Sequence, residues 1–279
     1  MRLSSDWYGK GNVRLTKVVR RGALHDLYEF CVKIILSGEF SSCYHTGDNS
    51  SLVATDTMKN TVYALADKHE FHSPEQFGQI LTKHFIANNK HISSARAEIA
   101  ETRWARLATA NGPHEHAFQI AGSGVRTAHV VTTQEGRVET SGGISGLQVL
   151  KTTKSGFVGF QRDEYTTLPD VTDRIFATTV DASWTYIGPT DYNASYVGAV
   201  EELLRVFGEH DSLAVQQTIY AMGEAMLARD PALGEVKLTM PNQHRIPFNL
   251  EPLGRKNSNS IFVTTSEPFG LIHGTISRD

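Results

Sequence analysis

The chain has 279 residues, 40% hydrophobic and 20% charged, which is material for one large core or two modest ones. A formal charge of −3, with no arginine run or basic stripe, argues against a protein built to grip nucleic acid. No apolar stretch reaches the roughly 18 residues that suggest a membrane-spanning helix, and Met1-Arg2-Leu3-Ser4-Ser5-Asp6 does not read as a signal peptide. The two cysteines, Cys31 and Cys43, lie in strand-like surroundings without metal-ligand spacing, which suits reduced thiols. The last residues, Ser277-Arg278-Asp279, are not the Ser-Lys-Leu peroxisomal address, so a cytoplasmic protein is expected. A peroxisomal one would require a different natural C-terminus.

Tyr8-Gly9-Lys10-Gly11-Asn12 reads as a glycine-flanked turn that presents Lys10. Residues 13–20 alternate as a half-buried strand does, Arg21-Gly22 is a turn, and residues 27–36 form a second strand, so the chain opens with a hairpin. After a polar loop at 46–51, residues 52–56 read as a short strand feeding a helix over 58–66, capped by Thr55 or Asp56. Ser73-Pro74-Glu75-Gln76 marks the next helix with an N-cap, a proline in the first turn and a capping-box glutamine. Phe77, Ile80, Leu81, His84 and Phe85 follow at helical spacing, with His84 read as a packed histidine. Residues 92–107 and 115–134 are long strand candidates around a turn at Asn111-Gly112-Pro113. His114 and His116 share one strand face and suit zinc, but no third ligand stands at a recognisable spacing, so no metal is assigned.

Residues 136–146 are rich in glycine and serine and read as the connection between two halves. Beyond them, 147–154 and 175–186 are strands. Between these strands Phe157, Val158 and Phe160 look like a strand end, 162–167 is a polar loop, and Pro169 begins a short helix carrying Asp170 and Asp173. A helix over 195–207 carries Tyr196, Val200, Leu203, Leu204 and Phe207, and another over 212–229 carries Val215, Ile219, Met222 and Met226. Residues 235–250 and 260–276 close as a strand pair. Each half therefore runs strand, strand, helix, helix, strand, strand. That order predicts an α+β fold of two tandem units, 1–138 and 139–279, with antiparallel sheets and helices on one face. Ring assembly of several copies would pair the exposed sheet edges.

Four places can carry chemistry. In residues 157–174 an aromatic face stands near a planar guanidinium, which suits a flat anionic heterocycle; the plain alternative pairs Arg174 with Asp170 or Asp173. Thr55 and Asp56 put a hydroxyl and a carboxylate at a helix start, where capping is the plain alternative. Gln216 lies in the first turn of a helix, whose free N–H groups favour an anion. Asn242 and His244, two apart, share a strand face unless Asn242-Gln243 is merely a turn.

The string FVGFQRDEYTTL followed by Asp173-Arg174 resembles the signature of the urate oxidase (uricase) family. YGK-x-NVR at 8–14, DNS at 48–50, VATD-x-x-KNT-x-Y at 53–63, VQ-x-T-x-Y at 215–220 and PN-x-H at 241–244 match it in order along nearly the whole chain. The resemblance implies the tunnelling fold: two such units per chain, and a homotetramer around a β-barrel tunnel with sites at subunit interfaces. It implies oxidation of urate by O₂ and water to 5-hydroxyisourate and hydrogen peroxide, without metal or organic cofactor. It places Arg174 and Gln216 as a pincer on urate, Phe157 as the stacking platform, and Leu168 and Val215 as walls. Thr55 and Asp56 would come from a neighbouring subunit, and Asn242 would hold O₂ or the attacking water. Lys10, Thr55 and His244 would form the proton relay. The alternatives are a pterin-handling enzyme of the same fold, in which a buried glutamate typically anchors the ring, and a catalytically silent purine-binding protein.

Overall fold

A computed structural model describes residues 2–278; Met1 and Asp279, the last residue of the C-terminal tripeptide read above, lie outside the described residues. Strands β1 (Tyr8–Arg21) and β2 (Leu24–Gly38) form the opening antiparallel hairpin, with Val13 paired to Val32 and Arg21 to Leu24. Then come α1 (Ser41–Thr46), α2 (Thr55–Lys68), α3 (Pro74–Asn88) and β3 (Ile92–Thr102). The chain continues through β4 (Trp104–Thr109), β5 (Gly112–Ile120), β6 (Val125–Thr133) and β7 (Val138–Lys151). After β7 come β8 (Phe176–Tyr186), α4 (Tyr192–Glu209), α5 (Val215–Arg229) and β9 (Leu233–Gln243). The last elements are β10 (Arg245–Pro247), a 3₁₀ turn (Glu251–Leu253), β11 (Phe262–Thr264) and β12 (Gly270–Ser277). Two units emerge, Met1–Gly143 with Gly188–Asn193, and Ile144–Ile187 with Ala194–Asp279.

In the first unit the sheet order is β1-β2-β3-β6, antiparallel throughout. α3 packs on β3 and β6, and α2 on β1. The α3 start follows its capping residues. The Ser73 hydroxyl accepts the Gln76 N–H at 3.2 Å, and the Gln76 side chain accepts the His72 N–H at 2.8 Å. Burying apolar rings on the sheet face supplies the driving force: Phe71 and Phe77 stack at 4.5 Å, with Phe30 5.7 Å from Phe71. Gly78 allows the close approach of α3, since a Cβ there would lie 2.7 Å from Val130 Cγ2.

The second unit repeats the arrangement, in the order β7-β8-β9-β12. α5 packs on β9 and β12. Its core contains Phe176, Trp184, Tyr196, Phe207, Met222 and Met226, all buried. In each half the expected closing strands break in two. The 92–107 and 115–134 candidates become β3 with β4 and β5 with β6; β4 and β5 leave the sheet as a separate two-stranded ribbon. β10 and β11 do the same between β9 and β12. The first ribbon is pinned by Arg106, whose guanidinium donates to the carbonyls of His25 and Glu115 and to Asp26 at 3.0 Å. His114 and His116 lie on this ribbon, and His114 Nδ1 accepts the Ala117 N–H at 3.1 Å, a local bond within β5 where the ribbon's register shifts.

Several expectations are corrected. The glycine- and serine-rich stretch 136–146 is mostly strand β7, because Thr140, Gly142, Gly143 and Ile144 are buried in it. Tyr8 to Asn12 is the start of β1 rather than a turn. Residues 52–54 form no strand. Leu204 is 41% exposed, so the buried stripe of α4 runs through Ala199, Leu203, Val206 and Phe207. Cys43 lies in helix α1; Cys31 and Cys43 are both free thiols.

Candidate active site

In the second unit a short extended stretch, 154–157, acts as a frame. Its Gly156 N–H donates to Ser212 O at 2.8 Å, and Ser212 N–H donates to Lys154 O at 3.0 Å. Phe157 exchanges two backbone bonds with Val171, at 2.7 and 3.1 Å, and Arg174 N–H donates to Ser155 O at 2.8 Å. One stretch is thus stitched both to 171–174 and to the approach of α5. The expected helix after Pro169 does not form: 169–175 is irregular chain, because these backbone groups bond to the frame. The stitching holds Phe157, Arg174 and the first turn of α5, with Val215 and Gln216, on one scaffold.

Arg174 is half-buried, with its guanidinium carbon 5.7 Å from the Phe157 ring centroid. Burial holds its pKa below the ordinary arginine value. The carboxylates that offered the plain alternative are engaged elsewhere, Asp170 with Arg162 at 3.0 Å and Asp173 with the Thr153 hydroxyl at 2.9 Å. Among the described residues no carboxylate pairs with Arg174, so its planar fork is available to a bidentate anion. At α5 the N-cap is Ala214, which provides no side-chain acceptor for the first-turn N–H groups. Those amides and the positive end of the helix dipole favour negative charge beside Val215 and Gln216. Phe157 and Phe160 stack at 4.9 Å with their planes 5° apart. Leu168 is 48% exposed, and its carbonyl accepts from Arg162 at 3.1 Å.

Asn242 is no turn residue: it lies in β9, paired with Thr178 on β8 and Gly270 on β12. His244 follows the strand, its carbonyl accepting the Thr265 N–H at 3.1 Å.

In the first unit Lys10 pairs with Ile34 on β2, immediately before a bulge that ends at Val13. Asn12 lies in the bulge with φ 54°, a left-handed conformation that asparagine tolerates. A Cβ on Gly9 would strike Ile34 O at 1.9 Å, so only glycine fits beside Lys10. Thr55 is the first residue of α2, and neither it nor Asp56 caps the helix; the N-cap is Ala54, without a side-chain bond. Asp56 instead holds Lys59 at 2.5 Å and Asn60 at 3.0 Å. The Lys59 hydrogen bond leads the influences that hold the Asp56 carboxyl below the usual range, with the Lys10 charge a smaller contributor. The Tyr8 hydroxyl accepts the Val53 N–H at 2.8 Å, tying the Lys10 strand to the α2 start. Burial of that phenol raises its pKa. The Ser155–Ser212 bridge escapes a reading by residue type; Tyr8 is marked in the sequence as the first residue of the YGK-x-NVR string, but its tie to Val53 is not.

Fold and site together define the class: an α+β protein of the tunnelling kind, with an open guanidinium, an aromatic platform and an uncapped helix start suited to a flat anion. The family model described as uricase matches residues 7–131 and 140–273. The uricase of Arthrobacter globiformis is 41% identical over 278 residues, covering 99% of this chain and 90% of that one. The uricase of Dictyostelium discoideum is 39% identical, covering 97% and 96% of the two chains. The crystal structure of the Arthrobacter globiformis uricase superposes with a TM-score of 0.95, covering 100% of this chain and 96% of that one. The uricase structure from Bacillus fastidious superposes at 0.82 with 26% identity, covering 98% and 94%. The chain belongs to the uricase family.

Proposed function

We propose that the protein is a urate oxidase: it oxidises urate with O₂ and water to 5-hydroxyisourate and hydrogen peroxide. Urate loses two electrons, O₂ gains them to become peroxide, and water supplies the oxygen added at the oxidised carbon. The observation that carries the reading is the Arg174 fork, open and half-buried beside Phe157 on the frame that also holds the α5 start.

Arg174 and Gln216 grip the edge of urate, Phe157 takes one ring face, and Leu168 and Val215 wall the pocket. The first-turn amides of α5 favour the anionic substrate. Asn242, with its carboxamide carrying both donors and an acceptor, holds O₂ or the attacking water. Urate must give up a second proton before it yields electrons to O₂. Lys10, Thr55 and His244 relay that proton, the lysine accepting it only from its amine form. The Thr55 hydroxyl can carry it because it is not used as a helix cap. The active protein is a homotetramer, with Thr55 and Asp56 reaching the site of a neighbouring subunit. Edge strand β1 in the first unit and edge strand β12 in the second suit such assembly. The chemistry needs no cofactor in this reading. Among the described residues no helix is long and apolar enough to cross a membrane.

Oxygen uptake after adding urate to chelator-treated protein, with peroxide assayed in parallel, tests the reading. Uptake with equimolar peroxide is expected. Absence of uptake with urate bound would replace the enzyme by a binding protein, and loss of activity restored by metal would overturn the cofactor-free reaction.

A further inference from the structure

The loop 158–170 contains an arrangement that the grip on urate does not itself use. The Arg162 guanidinium lies 4.6 Å from the centroid of the Phe160 ring, and Phe160 in turn lies parallel to Phe157 at 4.9 Å. Cation, ring and ring thus form one pile. The pile is anchored from its outer end: Arg162 pairs with Asp170 at 3.0 Å and donates to the Leu168 carbonyl at 3.1 Å. Asp170 also accepts the Gly159 N–H at 3.1 Å, which closes the loop on itself. Gly159 has φ 69°, a conformation that lets the chain fold back between the two rings.

Two consequences follow from simple geometry. Phe160 covers one face of Phe157, so a planar ligand stacked on Phe157 has only the other face. A ring backed by a second ring also cannot rotate freely about χ1 and χ2, which lowers the entropy lost when a ligand settles on it. Arg162 restrains the platform through Phe160 and the wall through the Leu168 carbonyl. A planar guanidinium can lie on a ring while donating in two directions at its edge; an ammonium cannot. The loop is otherwise exposed, and Asp163 with Thr166 only closes a local turn at 2.9 Å, so nothing else fixes it as firmly.

We propose that Phe160 and Arg162 are positioning residues for the planar substrate: Phe160 backs the Phe157 platform, and Arg162 locks platform and Leu168 wall in register. The proposal rests on the urate oxidase reading given above. Neither residue touches the reacting atoms, so their loss weakens ground-state and transition-state binding alike, raising KM and sparing kcat.

The test is steady-state urate oxidation by wild type, Phe160→Leu, Phe160→Tyr and Arg162→Lys, with thermal midpoints recorded for each. Phe160→Leu and Arg162→Lys should raise KM about three- to tenfold, the range of an aromatic pair or cation–ring contact, with kcat within about twofold. Phe160→Tyr, which keeps the ring, should retain the wild-type KM. If Phe160→Leu fails to fold, Arg162→Lys on the exposed loop decides alone. An unchanged KM in the folded variants, or a fall in kcat at constant KM, overturns the proposal while leaving the enzyme assignment intact. A wild-type protein that does not oxidise urate removes the enzyme assignment and the positioning role together.

Discussion

Arg174 shows how much one side chain depends on its neighbours' other commitments. Two aspartates stand within four residues of it, and each is bonded elsewhere, so the guanidinium keeps its fork open. Arg174→Ala should therefore act on binding: charge-assisted bonds to an anion are worth about 1.5–3 kcal/mol, or roughly a 10- to 100-fold rise in KM. Unaltered KM in initial-rate assays would move the substrate elsewhere. Lys10 should act on the chemical step instead. It stands beside a bulge in β1, and Lys10→Ala should lower kcat about 10²- to 10⁴-fold, as loss of an acid–base group does. Single-turnover measurement with saturating urate separates that effect from binding. The identity of both residues is legible in the sequence. The openness of Arg174 and the strand setting of Lys10 are not, because both are decided by pairing partners outside their own segments.

At the scale of elements, helix α3 meets β3 and β6 across a buried ionic cluster. Arg126 on β6 holds Glu75 of α3 at 2.7 Å and lies 3.6 Å from Glu101 of β3. The same guanidinium donates to Asn193 at 2.7 Å. Glu75 is fully buried and Glu101 nearly so. Two carboxylates share one cation, and desolvation, the leading cause, raises the pKa of both. A carboxyl whose pKa is raised on folding favours the folded state at acid pH, and that contribution is lost as pH rises through the folded-state value. Glu101→Gln should thus gain stability relative to wild type as pH rises from about 4.5 toward neutrality. Thermal midpoints of the two proteins across that range test it, and parallel curves would show that Glu101 does not titrate there. This cluster is hidden from sequence periodicity, which marks Glu75 only as a capping-region acid. Helix α3 is legible because its apolar spacing and the Ser73 cap agree. The 136–146 strand is not, since glycine-rich composition argues for a loop and only burial within a sheet overrides it.

At the scale of the whole molecule, the duplicated element order is legible in the sequence. The two-stranded ribbons are less so, since a break after Thr102 or Gln243 interrupts no hydrophobic pattern. The same break between the last two sheet strands occurs in both halves, β4–β5 in one and β10–β11 in the other. Light scattering should give a mass of four chains, and dilution that dissociates the assembly should abolish urate turnover, because Thr55 and Asp56 would then be missing from each site. A fully active monomer would overturn the shared site. The uncapped start of α5 has its own consequence. Without an acceptor side chain, the amide hydrogens at 215 and 216 should exchange rapidly with deuterated water in the free protein. A bound planar anion would then complete the helix from outside. Slower exchange confined to that turn on adding a non-reactive urate analogue would make the ligand, in effect, the first residue of the helix.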